Sequence, residues 1–145
     1  MSKCRRLAAG ALTVALSFGC SLMFPKAGLE HYVIRETGRD AVRCGAFTRQ
    51  LNEPHVLSTQ EAAEASRCMT DAYAAGKHFY FYVEGPGIDS HVAGGLLGSS
   101  RGLLRFKYDS APCGGPACNE SFVMSTCGAP TSGQAIAPDM SCPGQ

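Results

Sequence analysis

Between Thr59 and Glu84 the hydrophobic period changes from helical to two with no linker, and that junction restricts the fold more than any other stretch. Ser58 and Glu61 have the spacing of a capping box, in which hydroxyl and carboxylate each satisfy a free backbone N–H. Ala62, Ala65, Met69, Ala72 and Tyr73 then form one apolar stripe, with Cys68 beside it and Glu64, Arg67 and Asp71 on the outer face. Gly76 suits the position after a helix end, and Lys77 complements the dipole there. The pattern predicts a helix over about 59–76. His78 to Glu84 alternates at once: Phe79, Phe81 and Val83 face one way, and His78, Tyr80, Tyr82 and Glu84 the other. Gly85-Pro86-Gly87 ends that strand.

Around this junction the remaining elements are shorter. Asp40–Phe47 reads as a first strand, followed by a break at Asn52-Glu53-Pro54. Ser90–Gly98 is a glycine-rich strand, Ser99–Gly102 a hairpin turn, Leu103–Tyr108 a clear strand and Ser121–Cys127 a last one. One helix among hairpin-linked strands is an α+β pattern. The expected architecture is a single helix packed on a small antiparallel meander, with Phe79, Phe81, Val83, Leu104 and Phe106 meeting the alanine-rich helix face. The expected layout is a leader over 1–19, a tether over 20–30, one domain over 31–127 and an irregular or disordered tail over 128–145.

The leader reading rests on Lys3, Arg5 and Arg6, the uncharged run Leu7–Phe18, and Gly19-Cys20. This is the layout of a secretory signal. The run is too short for a membrane-spanning helix, which needs about 20 apolar residues. With cysteine directly after a small residue, the segment resembles a bacterial lipoprotein signal. That resemblance covers this segment alone. It implies that Cys20 becomes the acylated first residue of the mature protein, and Ser21 after it implies the outer membrane, facing the periplasm. An ordinary secretory signal cut elsewhere would instead release a soluble periplasmic or secreted protein.

Export changes the reading of the cysteines. Of eight, Cys4 lies in the leader and Cys20 would carry the lipid, which leaves Cys44, Cys68, Cys113, Cys118, Cys127 and Cys142. In an oxidising compartment six cysteines imply three disulfides, among 15 possible connectivities. Cys44 on the first strand and Cys68 on the helix can meet, because the chain reverses at Pro54 between them. The other four then pair among themselves. Cys113–Cys118 with Cys127–Cys142 is the most local choice, and Cys113–Cys127 with Cys118–Cys142 its rival. The same four thiols offer a conceivable zinc site, but fourteen residues between Cys127 and Cys142 is far from the tight spacing zinc sites prefer.

Three groups of residues invite a chemical reading. Asp89-Ser90-His91 contains the residue types of a hydrolytic triad, yet neighbours on a strand point to opposite faces and do not converge. His31, His55, His78 and His91 are scattered; His78 and His91 meet only if their strands place them together. Asp109-Ser110-Ala111-Pro112 is turn chemistry. Tyr80, Tyr82 and Tyr108 either present a partner-binding face or line a second small core beneath the tail. Without the signal, ten Lys and Arg stand against twelve Asp and Glu, with no basic cluster, which excludes a nucleic-acid partner. No cofactor motif occurs. The sequence therefore points to a non-catalytic envelope module held at a membrane by its lipid, with a protein or glycan partner. The alternative is a small secreted hydrolase or metal-dependent enzyme using Asp89, His91, His78 and Asp109.

Overall fold

The computed structural model describes residues 27–50, 57–115, 117–131 and 133–143. The leader, Cys4, Cys20 and His55 lie outside the described residues. The elements run α1 (Gly28–Thr37), β1 (Val42–Thr48), α2 (Thr59–Ala74), β2 (Phe79–Pro86), β3 (His91–Ser99), β4 (Gly102–Asp109) and β5 (Ser121–Thr126). The strands form one sheet in the order β1-β2-β3-β4-β5. The α+β class holds, but a single helix on an antiparallel meander does not. There are two helices, and β1 pairs with β2 in parallel while the other three pairs are antiparallel. The parallel pair follows from α2, which carries the chain back along the sheet as a crossover.

α2 matches its sequence signals. Ser58 Oγ accepts from Glu61 N–H and Glu61 returns to Ser58 N–H, closing the capping box. Ala65, Met69 and Ala72 are buried against Phe79, Phe81 and Leu96. Cys44–Cys68 ties β1 to α2 with the Cα atoms 5.4 Å apart, as a disulfide requires.

The opposite face carries α1, whose first residues fall inside the stretch read as tether. Leu29 and Val33, one turn apart, bury against Leu97, Leu104 and Phe106. No side chain near its start caps it. The cap comes from far away instead: the Glu120 carboxylate accepts the Gly28 N–H at 3.1 and 3.3 Å, and a negative charge suits that helix end. At the other end His78 Nδ1–H donates to the Thr37 carbonyl at 2.9 Å, and Arg101 pairs with Glu36.

The hairpin register corrects the expected core. Ser99 pairs with Gly102, so Leu97 opposes Leu104 and Tyr80 opposes Leu97. Leu104 and Phe106 therefore lie under α1, not under α2, and Leu103 takes the α2 side. Among the described residues after Cys127 there is no helix or strand, yet part of the segment is packed. Ile136 is fully buried beneath α2, its N–H bonded to Thr70 Oγ1 at 3.0 Å, and Cys142 is bonded to Cys127. Among the described residues no helix is long and apolar enough to cross a membrane.

Candidate functional site

The residues singled out for chemistry are held in separate structural roles. β2 and β3 are neighbours, but their antiparallel register pairs Phe79 with Gly98 and Pro86 with His91. His78 and His91 therefore sit at opposite ends of the sheet, about eight strand residues or roughly 27 Å apart. His91 Nε2–H donates to Glu84 at 2.9 Å, and Glu84 also accepts from Thr48 Oγ1, a polar chain across three strands. Asp89 occupies the β2–β3 turn with φ 57°, a left-handed conformation that Asp tolerates. The turn is closed by Gly87 N–H to the Ser90 carbonyl. Asp109 Oδ1 accepts the Ala111 N–H, and Ser110 Oγ accepts the His91 N–H. His31 is exposed on α1 with its ring edge against Tyr32.

All six body cysteines are bonded in pairs: Cys44–Cys68, Cys113–Cys118 and Cys127–Cys142. The four C-terminal sulfurs are thus not available as the zinc set considered from sequence. Among the described residues, no three His, Cys, Asp or Glu side chains cluster as metal ligands would.

Tyr80, Tyr82 and Tyr108 share one face, the α1 face and not the side covered by the tail. Tyr80 and Tyr82 stack on each other and are half-buried. Tyr108 is buried, and its hydroxyl donates to Glu120. Burial first, then the Glu120 charge, pushes the Tyr108 phenol up to about 12. The sign follows: the folded state keeps this proton more tightly than the unfolded chain. The associated stability is whole below pH 10 and is lost as pH rises through about 12. In Glu120→Gln the Tyr108 phenol is expected to titrate earlier, and α1 to loosen by about 1 kcal/mol. Phenolate absorbance against pH reads the first effect; an unchanged titration curve would remove Glu120 from this role.

Among the described residues, part of the α2-side sheet face is left open. A helix is about 10 Å across and strands are about 4.8 Å apart, so one helix covers about two strands of a sheet face. α2 lies over β1 and β2. The tail covers the end of β4 near Leu103 and Cys127. Left between them is a groove of about 1120 Å³ at the end of the sheet near the β2–β3 turn. Its walls are Leu57, just before α2, and Ala62 on it, with Pro138, Asp139 and Met140 from the tail. Its floor includes Val83, Val92, Gly94, Arg105 and Lys107, with Val123 at the β5 side. Met140 rests on Gly94: a Cβ there would lie 2.8 Å from the Met140 sulfur. Arg49 lies over Gly85, whose missing side chain leaves it room.

Comparison with family models, curated proteins and solved structures finds no match to this chain. The groove must therefore be interpreted from its own residues.

Reading the sequence alone passed over Arg49, Arg105, Lys107 and Met140. One signal was present. On the Leu103 side of β4, apolar character gives way to Arg105 and Lys107, while Leu104, Phe106 and Tyr108 stay apolar throughout. Such a change along one face marks where cover ends.

Proposed function

We propose that this chain is a non-catalytic, lipid-tethered binding module of the bacterial envelope, with the groove as its recognition surface. The observation that carries the reading is the groove that the described residues leave on the α2-side sheet face, apolar in most of its lining and holding three cations. A concave, largely apolar site with a few placed charges is what ligand recognition uses. A tether at Cys20 would be compatible with it. Gly28 is eight residues from Cys20 and is fixed to Glu120, beside the strand end Ser121 that lines the groove. An acylated Cys20 would hold the groove end within about 30 Å of the membrane, the reach of eight extended residues. The proposed location is the outer membrane, facing the periplasm.

The enzyme reading needs Asp89, His91, His78 and Asp109 in one pocket, and the β2–β3 register gives it no support.

Two measurements test the proposal. Cys20→Ser is expected to release the protein from membranes or stall its processing, because each buried acyl methylene contributes about 0.8 kcal/mol and stable anchoring takes more than one chain. Normal processing with continued membrane fractionation would refute the tether. Co-purification from detergent-solubilised envelopes is expected to retain a partner that Gly94→Leu loses, since the larger side chain fills the groove floor. A partner retained equally by both proteins would refute the groove.

A further inference from the structure

We infer that the groove takes a single-chain fatty acid in its ionised form, drawn from the membrane beside it. This inference rests on the groove being the recognition surface.

Charge decides the head group. The lining holds three cations, Arg49, Arg105 and Lys107, and two carboxylates, Asp109 and Asp139. Both carboxylates are already engaged in their own turns. Asp109 accepts from the Ala111 N–H, and Asp139 accepts from the Ser141 N–H at 3.0 Å and the Ser141 hydroxyl at 2.6 Å. The Ser141 contacts hold the Asp139 carboxyl below its ordinary range. The cations have no such partners: among the described residues none of the three makes an ion pair with a carboxylate. Arg49 Nε is buried with no hydrogen-bond acceptor among the described residues, and an anion entering beside the guanidinium supplies the opposite charge that it lacks.

Shape and lining decide the rest of the ligand. Leu57, Val83, Val92 and Met140 give the groove an apolar body next to its cations. Its volume of about 1120 Å³ is somewhat above the usual range of small-molecule sites. The floor is a sheet face, not an open strand edge, so an extended peptide finds no backbone ladder to join. A concave floor does not lie flat on a bilayer either. An apolar chain with one anionic head matches what the residues offer. A lipid on Cys20 would bring the groove end toward the membrane, and Ile88, 92% exposed at the β2–β3 turn, stands at that same end.

The test uses the full chain in nanodiscs of zwitterionic phospholipid, titrated with the fluorescent fatty acid cis-parinaric acid against empty nanodiscs. The expected result is saturable binding at one site per chain, displaced by palmitic acid at least tenfold better than by hexadecanol. Val123→Glu sets a carboxylate directly across from Lys107 at an exposed position where folding is not at stake. Val123→Glu and Arg105→Gln should each weaken the acid about tenfold and leave the alcohol unchanged. Equal displacement by acid and alcohol, with both variants behaving as the parent protein, overturns recognition of an anion while leaving the groove as a binding surface. Absence of saturable binding overturns the inference outright. The envelope co-purification with Gly94→Leu then shows separately whether the groove reading falls with it.

Discussion

Gly95→Ala is expected to lower stability by about 3 kcal/mol or more, at the top of the range for overpacking a core. Gly95 is buried in β3, the central strand, opposite Tyr82. A Cβ built there would lie 2.1 Å from the Phe81 carbonyl oxygen and 2.8 Å from both Tyr82 Cα and the Phe106 ring. Two of those atoms are backbone of the paired strand, so relief requires β2 and β3 to separate. Gly94 is the built-in comparison. Its nearest obstacle is the Met140 sulfur, the far part of a flexible side chain that can swing aside. Gly94→Ala should therefore cost less than about 1 kcal/mol. Denaturant unfolding of the two variants checks this; equal losses would show that the strand contact is not what Gly95 protects.

Removing the Cys44–Cys68 bond as a double alanine variant is expected to cost about 3 kcal/mol. The bond closes a separation of 24 residues, and a longer closed loop restricts the unfolded chain more. It also joins β1 to α2 across the crossover, and β1 is a sheet edge with only β2 beside it. Cys44 is itself buried in the α2-side core, so truncation adds a small cavity to the loss. Cys113–Cys118 spans only 5 residues with Cys113 exposed, and its removal should cost about 2 kcal/mol. Denaturant midpoints for the two double variants give the ranking, and the reverse order would contradict the account of β1.

What the sequence made legible was local. The capping box of Ser58 and Glu61 and the stripe Ala65, Met69, Ala72 define α2 by short-range contacts alone. The alternation in β2 and β4 is equally local. α1 was not legible because its signals are distant: the N-terminal cap is Glu120, and the C-terminal carbonyl is met by His78. With ten residues and no side-chain cap of its own, it is too short to be stable without the sheet. The split of the core failed for a related reason. Leu103 and Leu104 are both apolar, and which one meets α2 depends on the β3–β4 register, a property of two strands together. The groove is further still from sequence, since it exists only because α2 and the tail leave part of one face uncovered.

That uncovered face is also where the central claim is most directly tested. A photoreactive benzoylphenylalanine would replace Val123 at the groove or Arg101 at the opposite end of the sheet, in the full chain expressed in cells. Irradiation followed by intact-mass measurement reads what each position touches. The expected result is a discrete added mass at position 123 and none at position 101. No adduct at 123, or the same adducts at both positions, would contradict the groove as this protein's recognition surface.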